Sequence, residues 1–218
     1  MRATGIRTDF PVSKLIELVV LIGMGIVAVA ACASGQASKP ASDLKTLPAA
    51  VDEQLNKAVA TYLVISEKLA NDTMDGVADQ AKALAERLKL VAAVKVAGKE
   101  FGQAHAEVAA ALAKAKVMAE SVDISAARKA FADVSDEMVK LVERTGVPAS
   151  LGGAYYRMHC PMYRQEKGGV IWMQQGDKAR NPFWGKQMLT CADEKTQLAP
   201  AAVASGEAAA SQPAGPAH

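Results

Sequence analysis

Apolar residues recur every three or four positions in four successive stretches of this chain, and that spacing constrains the fold more than any other feature. Residues three and four apart share one face of an α-helix, so each stretch predicts a helix with one buried stripe. The stripes consist of Val51, Leu55, Val59, Tyr62 and Leu69; Val77, Ala81, Leu84, Leu88 and Val91; Phe101, His105, Val108 and Leu112; and Ala127, Phe131, Val134, Met138 and Leu141. We therefore predict a mainly α fold, a small up-and-down bundle of about four helices, in a domain spanning residues 49–195.

The breaks between these stretches predict where the helices begin and end. Residues 71–73 separate the first two stretches and offer an N-cap for the second helix. The fourth helix is expected to start near Asp123 and to stop where Gly146 and Pro148 follow it. His105 lies on the apolar stripe of the third helix, where we expect a packed histidine with one hydrogen-bond partner.

The N-terminus has the organisation of a bacterial export signal. Three basic residues precede an apolar stretch, residues 18–31, that is short for a membrane span and of the right length for a signal peptide. The small residues before Cys32 resemble the lipobox of bacterial lipoproteins, which implies a signal peptide at residues 1–31 and lipidation of Cys32. Two alternatives stay open: cleavage by an ordinary signal peptidase near Ala33, or retention of the stretch as an uncleaved anchor.

These features predict a periplasmic, lipid-anchored protein that contacts the membrane through its N-terminal lipid. Ala33, rather than an aspartate, follows the lipidated cysteine, and this resembles lipoproteins routed to the outer membrane. Residues 32–48 have the composition of a flexible tether, and residues 196–218 have that of a disordered tail. Export also places Cys160 and Cys191 in a compartment where disulfides persist.

Charge and motif content argue against two broad classes of function. A formal net charge of +2 over 218 residues provides little electrostatic attraction for nucleic acid. The sequence contains no glycine-rich phosphate loop, nucleophile elbow or HExxH motif. We therefore expect neither a nucleic-acid partner nor an enzyme.

Residues 155–191, called the flap below, contain most of the chemically distinctive side chains. Both cysteines beyond residue 32 lie there, with both tryptophans and four of the nine methionines. Two stretches have the aromatic and β-branched residues of short strands, and turn signals occur at Gly168, Gly176 and Asn181. We predict an irregular β-rich flap whose aromatic rings pack on the helices.

The cysteines of the flap allow two interpretations that the residues alone do not separate. A disulfide between Cys160 and Cys191 would stabilise the fold by roughly 3.5 kcal/mol through loop closure. Alternatively, a metal site would combine thiolates and thioethers with one auxiliary imidazole: Cys160, Met162, Met188, Cys191 and His159. Such soft donors favour Cu(I) or Ag(I), whereas thioethers are poor ligands for zinc.

A family resemblance adds weight to the metal interpretation. The flap has a Cys-Pro-Met run from Cys160, a tryptophan-containing strand, an Asn-Pro-aromatic turn ending at Gly185, and a Met-Leu-x-Cys run ending at Cys191. With the helix around residues 126–131, these motifs resemble the domain-of-unknown-function family 3347, over roughly residues 50–193. Tyr163 and Ala192 depart from the family pattern without removing a donor.

Domains of that family also occur fused to periplasmic adaptor subunits of copper and silver efflux pumps, which implies soft-metal handling. The resemblance thus implies an exported, lipid-anchored domain that binds or buffers Cu(I) or Ag(I), with a metal-efflux protein or another envelope protein as its partner. The alternative is a structural or interaction lipoprotein whose Cys160–Cys191 disulfide only staples the flap while the domain docks on an envelope partner.

Overall fold

The structure, a computed structural model, describes residues 45–204. Helices form most of it. They are α1 (Ala49–Ala70), α2 (Val77–Ala93), α3 (Phe101–Ala104), α4 (Ala106–Ala119) and α5 (Ile124–Thr145). Helix α2 packs against α1 and α4, and α4 packs against α5. The prediction of a mainly α fold with a β-rich C-terminal region is confirmed. No helix within the described residues is both long and apolar enough to cross a membrane.

The predicted stripes of α1, α2 and α5 form the centre of the core. Every residue named for these three helices is excluded from solvent, including Tyr62 and Phe131, whose rings stack 5.0 Å apart. Asp123 caps α5, because its Oδ1 accepts a hydrogen bond from the Ala126 amide at 2.8 Å. Gly146 ends this helix with φ +84°, and a side chain there would collide with the backbone of Ala201.

The third predicted helix is in fact two helices, α3 and α4, joined at His105. The backbone leaves the helical region at His105, with φ −128° and ψ 82°. This break lets the imidazole stack on the Phe101 ring at 4.0 Å. His105 Nδ1 is buried without a hydrogen-bond partner among residues 45–204, so the expected partner of this nitrogen is not found there. Burial and the nearby Arg144 charge lower the pKa of His105.

The N-cap of helix α2 is Gly76, not one of the predicted candidates at residues 71–73. Gly76 has a left-handed conformation that redirects the chain, and no side chain caps the helix. Thr73 Oγ1 instead accepts a hydrogen bond from the Asp75 amide at 3.2 Å. Asp72, part of the predicted N-cap region, faces the flap and binds Arg128.

Two short hairpin strands and a three-stranded sheet complete most of the domain. Strands β2 (Lys95–Val96) and β3 (Lys99–Glu100) connect α2 to α3. In the sheet, β4 (Tyr155–Cys160) lies between β5 (Val170–Gln175) and β6 (Glu194–Gln197), and both pairings are antiparallel.

Strand β5 joins the flap to the bundle, because it packs against α5 and α1. Trp172 on β5 and Phe183 beyond it are fully or almost fully buried. The Phe183 ring lies 5.8 Å from that of Phe131 on α5 and 5.9 Å from that of Trp172. The predicted packing of flap rings on the helices is therefore confirmed.

The predicted domain boundaries at residues 48 and 195 need correction. Strand β1 (Thr46–Leu47) pairs in parallel with β7 (Ala202–Val203), so the ends of the tether and tail segments belong to the domain. Burial explains the pairing, since Leu47, Leu198 and Ala201 are all less than 10% exposed. The predicted signal peptide, the lipidation site Cys32, residues 32–44 of the tether and residues 205–218 lie outside the described residues.

Candidate metal centre at Cys160 and Cys191

The two cysteines of the flap meet although 31 positions separate them in the sequence. Their Sγ atoms lie 2.9 Å apart, and both are free thiols. Cys160 ends β4 and is completely buried, whereas Cys191 is partly exposed. The two arms of the predicted site therefore lie side by side, as both the disulfide and the metal interpretation require.

Asn181 positions the arm that carries Cys191. Its amide nitrogen Nδ2 donates to the Cys191 carbonyl at 2.9 Å, and its backbone N–H donates to the Leu189 carbonyl at 2.7 Å. Its Oδ1 accepts from the amides of Phe183 and Trp184 at 2.8 and 3.2 Å. The side chain is fully buried, so the fold depends on all of these bonds to compensate for its lost hydration.

Arg128 on α5 anchors the same arm to the helices. Its guanidinium donates to the Pro182 carbonyl at 2.9 Å, to the Leu69 carbonyl at 2.8 Å and to Asp72 Oδ1 at 2.6 Å. Asp72 Oδ2 in turn accepts from the Lys186 amide at 3.1 Å. The Arg128 hydrogen bond is the main reason that the pKa of Asp72 lies below its usual range.

Gly185 allows the flap to approach this ion pair. Its φ is +57°, and a side chain at this position would overlap the Asp72 carboxylate and the Arg128 guanidinium. The sequence predicts a turn from Asn181 to Gly185, which agrees with the contacts of both residues, but it does not indicate the roles of Arg128 and Asp72. No local signal marks that pair, because 56 positions separate its members.

Arg164 fixes the arm that carries Met162. Its guanidinium donates to the Lys129 carbonyl at 2.9 Å and to Asp133 Oδ1 at 2.8 Å, both on α5. Tyr163 packs its ring 5.1 Å from that of Phe183. Tyr163, which departs from the family pattern, thus packs the loop after Cys160 against the buried Phe183 ring.

Met162 and Met188 line one shallow surface cleft of about 530 Å³, together with Tyr163 and Trp184, and neither cysteine lines it. Met162 is 45% exposed, and Met188 is partly buried. Met162 Sδ accepts a weak hydrogen bond from Gln165 Nε2 at 3.6 Å, so its thioether faces that side chain. To bind an ion, the Met162 side chain would have to rotate away from Gln165. The exposure of Met162 leaves room for this rotation.

The environment of Cys191 favours the protonated thiol. Burial is the main cause that raises the pKa of Cys191 to about 11, and the adjacent Cys160 sulfur adds to it. The backbone N–H of Met162 donates to the Cys191 sulfur and partly opposes this shift. At neutral pH a metal ion would therefore have to displace the proton of Cys191 to bind it.

His159, predicted as an auxiliary ligand, uses both ring nitrogens within the fold. Nδ1 lies 2.7 Å from Asp193 Oδ1, and Nε2 lies 2.8 Å from the Gly168 carbonyl oxygen. Partial burial favours the neutral ring, but the bonds to Gly168 and Asp193 outweigh it and raise the pKa of His159. Both acceptors are satisfied together only by the imidazolium, which has two N–H donors. In this arrangement His159 has no lone pair to offer a metal.

The composition of the site restricts the class of metal. No three side chains of His, Cys, Asp or Glu within residues 45–204 are grouped so that they would hold a metal ion. Structural zinc normally takes four such ligands, and Ca²⁺ or Mg²⁺ requires several oxygens. The two side chains that the fold does bring together are thiols, which are soft donors.

Comparison with known proteins gives one match. The model of a family described as "Protein of unknown function (DUF3347)" matches residues 58–150. No curated protein and no solved structure matches the chain. The matched residues run from α1 to the turn before β4 and end ahead of Cys160, so the match supports the family through its helices and is silent on the donor residues. The family predicted from the sequence is therefore the one whose model matches, over the helical residues 58–150.

Proposed function

We propose that this domain binds or buffers Cu(I) or Ag(I), with the metal as its cargo. Cys160 and Cys191 provide thiolates, and Met162 and Met188 provide thioethers. The observation that carries the proposal is the 2.9 Å approach of the two sulfurs, on two arms whose methionines, Met162 and Met188, line one cleft. Soft sulfur donors in this combination select Cu(I) and Ag(I) over hard cations.

The surrounding contacts support a site held in place before the metal arrives. Asn181 and Arg128 hold one arm against the helices, and Arg164 holds the other. Such outer contacts orient metal ligands and reduce the free energy lost in ordering them. His159 takes the role of a support in this proposal, since it ties Gly168 and Asp193 together on either side of the site.

The N-terminal sequence supports a location in the cell envelope for this activity. A lipid on Cys32 would anchor the domain to a membrane, with the outer membrane as its destination and a metal-efflux or other envelope protein as its partner. In this role the protein is a binding protein rather than an enzyme.

Anaerobic titration of the reduced, mature protein with Cu(I) against a competing chelator tests the proposal. We expect one equivalent to bind, and we expect the double variant Met162→Leu with Met188→Leu to weaken binding by on the order of tenfold or more. Met118→Leu is the matched control, because Met118 is a buried core residue of α4. Absence of Cu(I) uptake by the reduced protein would refute metal binding, and full affinity in the double variant would refute the thioether ligands.

A second candidate function draws on the same sulfur contact. Sulfurs this close are also suited to a disulfide that staples the flap, which would leave the helices to dock on an envelope partner. Counting free thiols in protein taken directly from the periplasm separates the two. A fully oxidised pair that binds no metal after reduction would favour the structural role.

A further inference from the structure

The two cysteines of the site differ in their access to solvent. Cys160 is completely buried at the end of β4, where it pairs in register with Val170 of β5. Its neighbours Met158 and Trp172 are also fully buried, so the sheet and the core enclose the sulfur. A reagent cannot reach Cys160 without opening the sheet.

Cys191 occupies a different environment. It closes a tight turn, in which its N–H donates to the Met188 carbonyl at 3.0 Å, and it lies between the exposed residues Thr190 and Asp193. Its side chain is partly exposed, and its sulfur is within 2.9 Å of the buried Cys160 sulfur. The pair therefore presents one sulfur to solvent and holds the second directly behind it.

We propose that Cys191 is a site of thiol–disulfide exchange and that Cys160 is its resolving cysteine. In the first step, Cys191 loses its proton, and the thiolate attacks a disulfide RSSR to form the mixed disulfide Cys191–S–S–R. The thiolate that leaves, RS⁻, takes up a proton and is released as RSH. In the second step, the Cys160 sulfur attacks Cys191 Sγ, forms the Cys160–Cys191 disulfide and releases the second RSH. Two protein thiols are oxidised and one external disulfide is reduced to two thiols. The second step needs little movement, because the two sulfurs are already in contact.

The reverse reaction identifies a class of partner. A dithiol reductant must attack Cys191 Sγ, since Cys160 is enclosed, and Cys160 is then the leaving thiol. The second thiol of the reductant resolves the mixed disulfide at Cys191. An exported dithiol oxidoreductase with an exposed nucleophilic cysteine meets these requirements.

Exchange at Cys191 would regulate the metal site, a consequence that rests on the proposed function. The disulfide removes both thiolate donors at once, so oxidation and metal binding exclude each other. A bound ion would protect Cys191 from disulfides, and oxidation would release the ion. The exchange chemistry itself depends only on the cysteine pair.

Single-cysteine variants test the assignment in the reduced, mature protein without metal. The probe is the chromogenic disulfide 5,5′-dithiobis(2-nitrobenzoate), with Cys160→Ser retaining Cys191 and Cys191→Ser retaining Cys160. We expect native Cys160→Ser to react faster by on the order of tenfold or more, and we expect the two rates to converge in denaturant. Cys32 would also react with the probe. Both variants are therefore made in a Cys32→Ser background. Equal native rates, or faster reaction of Cys160, would overturn the proposal.

Two further measurements keep the result interpretable. Circular dichroism and thermal melting must show that both variants are folded, and mass spectrometry after treatment with glutathione disulfide must locate the products. We expect a stable glutathione adduct on Cys191 in Cys160→Ser, and an intramolecular disulfide without adduct in the protein that keeps both cysteines. If Cys191 reacts faster than Cys160 but the protein binds no Cu(I), this inference stands and the proposed function is refuted. If the protein binds Cu(I) but the two cysteines react at equal rates, the proposed function stands and this inference is refuted.

Discussion

Arg128 on α5 and Asp72, in the turn between α1 and α2, form an ion pair of 2.6 Å. The arginine side chain is 14% exposed, and it also donates to two backbone carbonyls, one in the last turn of α1 and one in the flap. This single guanidinium therefore joins α5, the end of α1 and the arm that carries Cys191. Its burial distinguishes it from an ordinary surface ion pair, which contributes little to stability.

Replacing Arg128 with leucine should destabilise the domain. The substitution removes three charge-assisted hydrogen bonds and leaves the Pro182 and Leu69 carbonyls without this donor, so we expect a loss of about 2–3 kcal/mol in the free energy of unfolding. Chemical denaturation measures the change. The control is Lys89→Gln, since Lys89 is 71% exposed and its ammonium lies 3.9 Å from the Glu86 carboxylate. Equal stability of the two variants would show that Arg128 does not anchor the flap.

Asn181→Ala should affect both stability and the candidate site. The variant removes the buried amide that binds the Cys191 carbonyl and the Phe183 and Trp184 amides, at an expected cost of about 3 kcal/mol. Because the arm of Cys191 loses its support, Cu(I) affinity should fall as well. Denaturation and chelator competition measure the two effects. Lys178→Ala, an exposed position in the loop that precedes Asn181, is the control, and an unchanged Asn181→Ala protein would contradict the structure.

Tyr62→Phe should loosen the attachment of β5 to the bundle. The Tyr62 hydroxyl is fully buried, accepts from the Met173 amide at 3.2 Å and shares a hydrogen bond with Ser135 at 2.9 Å. Its removal leaves two buried polar groups without this partner, so we expect a loss of about 2 kcal/mol and faster amide exchange at Met173. Ser135→Ala should lower the free energy of unfolding by less, because the Tyr62 hydroxyl then still accepts the hydrogen bond from the Met173 amide. The opposite order of the two losses would contradict this account.

The bond between His159 and Asp193 predicts a pH-dependent contribution to stability. The pKa of His159 is raised in the fold, so its contribution is fully present below the usual histidine value of about 6.5 and is lost as the pH rises through the folded value. The pKa of Asp193 is lowered, mainly by the His159 hydrogen bond, so its contribution is lost as the pH falls below the usual value of about 3.9. The pair should stabilise the fold most between these limits.

Urea denaturation of the wild type and His159→Gln at pH 5 and pH 9 tests this prediction. Glutamine keeps a hydrogen-bonding group but cannot carry the charge. The variant should be less stable at pH 5, and the difference should shrink at pH 9. If His159→Gln is less stable than the wild type by the same free energy at pH 5 and pH 9, the charged form of His159 does not contribute to stability.

Local patterns in the sequence were sufficient to predict the buried faces of α1, α2 and α5. The residues on the stripes of α1, α2 and α5 are buried as predicted, because a four-and-three spacing leaves an amphipathic helix only one face to bury. His105 shows where this reasoning fails. Its position fits the stripe, yet the backbone breaks there and the ring stacks on Phe101, an arrangement that periodicity does not encode.

The ends of the domain show a second limit. Composition alone predicted a tether and a tail that would lack structure, but Leu47, Leu198 and Ala201 are buried and β1 pairs with β7. Two strands of two residues have no periodicity to detect. Their pairing depends on the other end of the chain, 156 positions away in register, so composition was a poor guide to it.

For the candidate site, the sequence by itself determined which donor atoms are available: two thiols and two thioethers near the ends of one segment. It also determined the helices on which that segment rests, since helical periodicity is a local property. Only the tertiary structure decided that the two sulfurs meet, that Cys160 is enclosed while Cys191 is accessible, and that His159 is engaged elsewhere. These properties arise from contacts between residues distant in sequence, such as Arg128 with Asp72, and their energies depend on burial that no local pattern records.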